Sequence, residues 1–191
     1  VVLIMLLLLI ACAVLINKTI LKANKNTPDS PVYNVLLKVF KLRARKTKYV
    51  KDDVASLNID GPFLILSNHP SGLDVYFIAD LVKPVRLSFI LNHYFYRFKI
   101  VRFILTKIGV ITKKLFTPDI KTIKGTLKAV KAGYPVYMCP EGRLGLDGTN
   151  YYITKETGKF VKQLKLPVVI VTINGAYISK PKWRKHRIKS H

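Results

Sequence analysis

The sequence predicts an α/β fold, a mixed sheet flanked by helices, with an N-terminal membrane helix in front of it. Two observations support this prediction. Short apolar runs bounded by turn residues alternate with segments of helical period, which favours strands and helices in alternation. Residues 1–16 are also apolar without a single charge. The chain has 191 residues, enough for one domain with a sizeable core.

The apolar start, VVLIMLLLLIACAVLI, predicts a membrane anchor helix within residues 1–23. At about 1.5 Å per residue this run covers most of a hydrocarbon core roughly 30 Å thick. Lys18, Lys22 and Lys25 follow it, which places the rest of the chain in the cytoplasm by the positive-inside rule. A secretory signal cleaved near Ala11–Ala13, or a lipoprotein signal at Cys12, is the alternative; the apolar run continues past both sites.

Residues 24–50 are predicted to form a linker and a basic amphipathic helix. The linker NKNTPDSP holds two prolines, and apolar residues then recur at helical spacing among lysines and arginines. The helix is either a solvated element of the domain surface or one that lies on anionic lipid.

Residues 51–191 are predicted to form the folded domain. FLILS (63–67) is typical of a buried strand, followed by a helix from Asp74 to about Leu81. Thr117-Pro118-Asp119 is a helix start, and Gly133 ends that helix. A short strand at 135–139, a helix at 155–165 and a fully buried strand at 167–173 complete the expected elements.

The charge indicates a polyanionic partner, because Lys and Arg number 33 against 10 for Asp and Glu while half of the residues are hydrophobic. Anionic membrane and nucleic acid are the two candidates. Residues 85–108 combine aromatic and basic side chains without an acid, which suits a membrane-facing surface, a nucleic-acid groove or a core helix with basic outer positions. The two cysteines and the histidines outside the candidate site show no spacing of metal ligands.

The stretch Asn68-His69-Pro70-Ser71-Gly72-Leu73-Asp74 follows the first predicted strand, where sites of α/β sheets lie. A bend between loop and helix lets Asp74 reach back to His69. A carboxylate would hold the imidazole in one tautomer and leave its other nitrogen as a positioned base. The alternative is that Ser71 and Asp74 only cap the helix and His69 is a polar loop residue.

A second motif, Pro140-Glu141-Gly142-Arg143, also follows a predicted strand. Glycine lets backbone N–H groups approach an anion, and Arg143 offers a two-pronged donor for phosphate. Since no G-x-S-x-G elbow supplies a nucleophilic serine, the substrate would bring its own hydroxyl.

Asn68-His69 with Asp74, followed later by Pro140-Glu141-Gly142, resembles the glycerolipid acyltransferase family, which includes 1-acyl-glycerol-3-phosphate acyltransferases. Leu166–Ile170 is similar to the proline-valine strand of that family, and the resemblance covers roughly residues 55–180. It implies that His69 is the general base, that Asp74 orients it, and that residues 51–191 are an acyltransferase domain. The expected substrate-binding residues are Asn68, Lys113, Lys114, Glu141, Gly142 and Arg143.

The resemblance implies transfer of a fatty acyl group from acyl-CoA or acyl carrier protein to a lysophospholipid, most simply 1-acyl-glycerol-3-phosphate, in phospholipid biosynthesis. Anionic membrane lipid is the expected partner, the cytoplasmic side of the cell membrane the expected location, and no cofactor, metal or nucleic acid is expected. This sequence departs from the family pattern at Cys139, where phenylalanine is common, at Arg143, which follows the glycine directly, and at Lys113-Lys114, where an arginine is usual. A membrane-anchored protein that binds nucleic acid or lipid without catalysis is the alternative.

Overall fold

The computed structural model describes residue 28 and residues 31–45, 59–81, 86–114 and 119–179. Five strands form one sheet: β1 Leu64–Ser67, β2 Ser88–Asn92, β3 Ile111–Lys113, β4 Val136–Met138 and β5 Val168–Val171. The α-helices are α1 Pro31–Arg45, α2 Asp74–Leu81, α3 Lys99–Lys107, α4 Ile120–Lys131, α5 Lys155–Leu164 and α6 Ala176–Ser179, and a 3₁₀ helix spans His93–Arg97.

The strands lie in the order β3-β2-β4-β1-β5, and every pairing among them is parallel. The prediction of a mixed sheet is therefore wrong for the described strands. Each strand is followed by a helix before the next begins, and such crossovers return the chain in the same direction. The carboxyl ends of all five strands consequently meet at one edge of the sheet.

Two apolar cores cover the two faces of the sheet. Ile65 and Tyr137 point to the face that also buries Tyr33 of α1 and Ile78 of α2. Leu64 and its neighbours Val136 and Met138 point to the opposite face, with residues of α4 and α5 packed against them. The alternation of side chains along each strand thus produces a three-layer arrangement with the sheet in the middle.

The predicted strand at 167–173 forms as β5, but the prediction that it is fully buried is wrong. Val168 is 43% exposed and Ile170 is 78% exposed. Because β5 is the edge strand beside β1, its outer side lacks a neighbouring strand in the described part of the chain.

The helix boundaries follow the predictions closely, with one difference at α4. Asp119 caps α4 through hydrogen bonds from the backbone N–H groups of Lys121 and Thr122, where Thr117 and Pro118 were expected to start the helix. Those two residues lie outside the described part of the chain. At the other end Gly133, with φ +83°, terminates α4 as predicted.

No helix within the described ranges has the length and hydropathy needed to cross a bilayer. The predicted anchor at residues 1–23 and the linker that follows it lie outside those ranges. Of the predicted basic amphipathic helix, the part from Pro31 to Arg45 forms as α1.

Candidate active site

His69 and Asp74 form a hydrogen-bonded pair just beyond the carboxyl end of β1. His69 Nδ1 lies 2.8 Å from Asp74 Oδ2. The histidine side chain is 26% exposed, whereas the aspartate side chain is completely buried. With Nδ1 engaged by the carboxylate, Nε2 is the nitrogen left for a reacting group.

Asp74 also caps the start of α2, so both sequence-based readings of this stretch occur in one structure. Its Oδ2 accepts the backbone N–H of Ser71 at 3.1 Å, and Ser71 Oγ accepts the N–H of Leu73 at 3.3 Å. This pattern resembles a capping box, except that Ser71 Oγ accepts the N–H of Leu73 and the N–H of Asp74 donates to the Ser71 carbonyl. The cap holds the carboxylate in place at the helix terminus, where it meets the imidazole.

One oxygen of Asp74 has no hydrogen-bond partner within the part of the chain that the structure describes. Oδ1 is buried and, among the described residues, nothing donates to it. Burial raises the pKa of Asp74, hydrogen bonds from His69 and from the Ser71 N–H oppose this rise, and the charge of Glu141 adds to it. The ionised form of Asp74 is therefore stabilised by the hydrogen bond and the charge of the protonated His69.

The pKa of His69 reflects opposing effects. Burial lowers it, while hydrogen bonds with Asp74 and Cys139 and the charges of both groups raise it, so the pKa is raised from 6.5 to about 10. The shifts of both partners have the same consequence, because each keeps a proton within the pair. The pair binds that proton more tightly than an isolated imidazole would.

A buried polar chain lies beside the pair. Tyr137 OH is 2.8 Å from Ser67 Oγ and 3.1 Å from Cys139 Sγ, and Ser67 Oγ donates to the carbonyl of Asn68. Tyr137 thus links Ser67 and Cys139 in one hydrogen-bonded chain, which Ser67 ties to the backbone.

This chain was not predicted from the sequence. Its signal is the alternation of side chains along β1 and β4, together with the pairing of Ile65 with Tyr137. That register brings Ser67 opposite Cys139 on the face of the sheet where His69 lies. The register depends on the order of the strands, which the sequence does not give.

Asn68 connects β1 to the loop that follows β5. Its Oδ1 accepts the N–H of Ile173 at 2.8 Å, and its Nδ2 donates to the carbonyl of Ile173 at 3.0 Å. Nδ2 also donates to Asn150 at 3.2 Å. The side chain thus holds two loops together immediately before His69.

The loop after β4 is organised around Tyr151. Its backbone N–H donates to Glu141 Oε2 at 3.2 Å, and its hydroxyl accepts the N–H of Leu146. The Arg143 guanidinium stacks 3.8 Å from the centroid of its ring. Gly142 adopts φ +70°, which favours glycine in this turn. Tyr151, which the sequence did not single out, therefore sets the positions of both predicted binding residues.

A further contact joins this loop to the histidine. The backbone N–H of Gly145 donates to the carbonyl of His69 at 2.8 Å. A direct backbone hydrogen bond therefore connects the loops after β1 and β4, which follow neighbouring strands of the sheet.

Lys113 and Lys114 lie at the same edge of the sheet but farther away. β4 and β2 stand between β1 and β3, and three strand spacings amount to roughly 14 Å. The backbone N–H of Lys114 donates to Asp119. The structure thus groups Asn68, His69, Asp74, Glu141, Gly142 and Arg143 and sets the two lysines apart.

Known proteins share the family and the fold of this chain. A 1-acyl-sn-glycerol-3-phosphate acyltransferase of Brassica napus, chloroplastic BAT2, is 26% identical over 133 residues, which are 66% of this chain and 38% of that protein. The crystal structure of the 1-acyl-sn-glycerophosphate acyltransferase PlsC from Thermotoga maritima has a TM-score of 0.63 and 20% identity. That match covers 78% of this chain and 61% of PlsC, so the fold is shared.

The chain spans less than two thirds of the length of both of these relatives. The sequence also matches the profile of the Acyltransferase family over residues 41–174, a range that includes both motifs at the carboxyl edge of the sheet. These matches confirm the resemblance inferred from the motifs: the chain belongs to the Acyltransferase family.

Proposed function

We propose that this protein transfers a fatty acyl group from an acyl thioester to the hydroxyl of a lysophospholipid, most simply 1-acyl-glycerol-3-phosphate. The observation that carries the proposal is the 2.8 Å contact between His69 Nδ1 and a fully buried Asp74 at the carboxyl edge of a parallel sheet. The names of the two relatives support the choice of acceptor.

In the proposed reaction His69 Nε2 takes the proton of the acceptor hydroxyl while the oxygen attacks the thioester carbonyl. The tetrahedral intermediate then expels the thiolate, which receives the proton from the imidazolium. Asp74 keeps the ring in the reactive tautomer and stabilises the imidazolium that forms between the two steps. The ester bond replaces the thioester bond, and no group on the enzyme is consumed.

Acceptor binding is assigned to the loop after β4. Arg143 is exposed, and its guanidinium lies over the ring of Tyr151, which leaves its N–H donors available for a phosphate. Glu141 and Gly142 are proposed to shape the turn beneath it. Lys113 and Lys114 would act at a distance, by raising the local concentration of anionic substrates.

Asn68 was expected to bind substrate, but its contacts favour a positioning role. Both of its polar atoms are engaged with Ile173, and Nδ2 is shared with Asn150. We therefore propose that Asn68 fixes the backbone that presents His69.

The remaining expectations concern the surroundings of the reaction. We propose that the protein works on the cytoplasmic side of the cell membrane, anchored through residues 1–23, with acyl-CoA or acyl carrier protein as donor and without a cofactor. The excess of basic residues supports attraction to anionic lipid.

The test is acyl transfer in membranes that contain the full chain, with labelled acyl-CoA or acyl carrier protein and a panel of lysophospholipids. His69→Ala should lower turnover by about 10²- to 10⁴-fold or more, since general base catalysis is worth that much. Asp60→Asn, a change at an exposed residue in the turn before β1, should leave turnover unchanged. A folded chain without turnover on any donor and acceptor, or full activity of His69→Ala, would refute the proposal; nucleic-acid binding at low salt would then support the alternative.

A further inference from the structure

The segment between β2 and β3 forms an exposed surface beside the candidate site. It consists of the 3₁₀ helix His93–Arg97 and of α3, and neither contains a buried residue. Its exposed large apolar side chains are Tyr94, Phe95, Phe98, Ile100 and Phe103. We call residues 93–107 the aromatic-basic platform.

The platform carries positive charge without any negative charge. Its basic side chains are Arg97, Lys99, Arg102 and Lys107, and the sequence contains no acidic residue between Asp80 and Asp119. The Arg97 guanidinium lies 4.0 Å from the ring centroid of Tyr94 and 4.5 Å from that of Phe98, and Lys107 lies over Phe103. Cations and exposed rings are thus interleaved, as in segments that lie at a membrane interface.

A small cavity opens within the platform. It has a volume of about 220 Å³ and is lined by His93, Tyr94, Tyr96, Arg97 and Arg102. Two arginines, Arg97 and Arg102, contribute to its lining, and their positive charge attracts an anion such as a phosphate to this part of the platform. At the surface of a membrane, the phosphate of a phospholipid headgroup is such an anion.

The most exposed apolar side chain distinguishes lipid from nucleic acid as the partner. Ile100 is 77% exposed on α3. An aliphatic side chain offers no ring on which a base can stack, whereas it gains free energy on entering an acyl-chain region. The combination of Ile100 with aromatic and basic neighbours therefore favours a bilayer.

The position of the platform relates it to the chemistry. It begins at the carboxyl end of β2, and only β4 separates β2 from β1, a distance of roughly 10 Å for two strand spacings. The start of the platform, His93–Arg97, therefore lies at the same edge of the sheet as His69, and α3 leads from there back toward the start of β3.

We propose that the aromatic-basic platform docks on an anionic phospholipid surface and turns the carboxyl edge of the sheet toward the bilayer. The docking follows from exposure and charge alone; the use of this orientation to deliver a lipid acceptor to His69 rests on the proposed function. The platform is a contact additional to the predicted anchor at residues 1–23.

The test places a fluorescent reporter on the platform of the full chain. Trp183, the sole tryptophan of the sequence, is changed to Phe, and Ile100→Trp is introduced. The matched control is Gln163→Trp, at an exposed position on α5 near the amino edge of the sheet. Both proteins are reconstituted into phosphatidylcholine vesicles with and without phosphatidylglycerol, and quenching by lipids brominated on their acyl chains is measured.

We expect quenching at position 100 to exceed that at position 163 severalfold and to increase with phosphatidylglycerol. Equal quenching at the two positions would overturn the proposal. So would an emission from position 100 that is unquenched by bromine but shifts to the blue with protein concentration, because the face would then contact a second copy of the chain.

A second variant separates docking from folding and from chemistry. Ile100→Ser/Phe103→Ser removes two exposed apolar side chains, so the melting temperature should be kept. We expect activity on acceptor embedded in vesicles to fall about tenfold or more, which corresponds to about 1.4 kcal/mol. Activity on a short-chain acceptor dissolved as monomers should stay within about twofold, because that acceptor reaches the site without docking. Equal losses on both acceptors would overturn docking, whereas absence of turnover with intact quenching would refute only the proposed function.

Discussion

At the scale of single residues, Asp74 performs two tasks with one oxygen. Oδ2 accepts the backbone N–H of Ser71, just before α2, and hydrogen-bonds with Nδ1 of His69. Oδ1 is buried, and no described residue donates to it. A helix cap is available to any sequence with this spacing. A fully buried carboxylate in contact with a partly exposed imidazole is much rarer and favours a catalytic pair.

Asp74→Asn should change the pH dependence of the reaction in a defined direction. The base must be the neutral imidazole. Burial lowers the pKa of His69, but Asp74 and Cys139 raise it by more, so that the pKa lies above its ordinary value. In the wild type kcat/KM should therefore still increase with pH above neutrality. In Asp74→Asn the pKa falls toward its ordinary value, so the increase should occur at lower pH, while the plateau drops by about 10²- to 10⁴-fold because the ring loses its orienting partner.

The measurement is kcat/KM from about pH 6 to about pH 11, which reports the free enzyme and extends past the raised pKa of His69. Asp60→Asn, at an exposed aspartate in the turn before β1, is the matched control and should leave the profile in place. A profile of Asp74→Asn that keeps the wild-type midpoint would contradict a hydrogen-bonded catalytic pair.

Asn68 and Arg143 should differ in the kinetic constant that they affect. Asn68→Ala removes three hydrogen bonds that hold the loop before His69, so kcat should fall with the acceptor KM unchanged.

Arg143→Ala removes the proposed phosphate donor, and the acceptor KM should rise roughly 10- to 100-fold, as expected for a hydrogen bond to a charged group worth about 1.5–3 kcal/mol. Steady-state kinetics with varied acceptor distinguishes the two, and a rise in KM for Asn68→Ala would return Asn68 to the substrate-binding residues.

At the scale of elements, the loop between β4 and α5 packs closely against α6. Gly148 has φ +82°, and a Cβ there would lie 2.8 Å from Cδ1 and 2.9 Å from Cγ of Tyr177. Gly133 has nearly the same φ, +83°, but a Cβ at that position would meet nothing within 4 Å. The pair separates the effect of backbone strain from that of close packing.

Gly148→Ala should therefore destabilise the protein more than Gly133→Ala. The strained φ costs about 1–2 kcal/mol in both variants, and displacement of the Tyr177 ring adds about 1–3 kcal/mol at position 148 alone. For a chain of this size each kcal/mol lowers the melting temperature by about 2–4 °C. Thermal denaturation of the two variants side by side measures the difference. Equal melting temperatures would show that the Tyr177 ring moves aside without lowering the free energy of unfolding.

Elements with a local signal were predictable from sequence, whereas those set by sheet order were not. FLILS, the helix from Asp74 and the end of α4 at Gly133 follow from patterns contained within a few residues. β2 was missed because Ser88–Asn92 lies inside the aromatic and basic run 85–108, which was treated as one segment. The exposure of β5 depends on which strand lies beside it, and no local pattern reports that.

The candidate site follows the same rule. His69, Asp74 and Glu141 lie in short motifs and were identified from those motifs. Tyr137 and Tyr151 act through contacts between separate segments, so their roles emerge only when β1 and β4 are paired and the loop after β4 is closed.

At the scale of the whole molecule, the fold separates packing from chemistry. The two faces of the sheet are used for the apolar cores, and the carboxyl edge carries both motifs and the start of the aromatic-basic platform. A formal net charge of +23 surrounds this arrangement. Such a field attracts anionic substrates and surfaces over a distance that salt controls.

The charge predicts that salt weakens substrate capture more than it slows the chemistry. Raising KCl from about 0.1 M to about 1 M shortens the Debye length from about 10 Å to about 3 Å. The KM for 1-acyl-glycerol-3-phosphate in anionic vesicles should then rise about tenfold, within the range by which steering alters capture, while kcat changes little. In uncharged detergent micelles only the acceptor itself is anionic, so the same salt series should raise KM less. Identical salt dependence in the two carriers would mean that the basic surface does not meet the membrane during turnover, and the charge would then act only on the acceptor at its binding site.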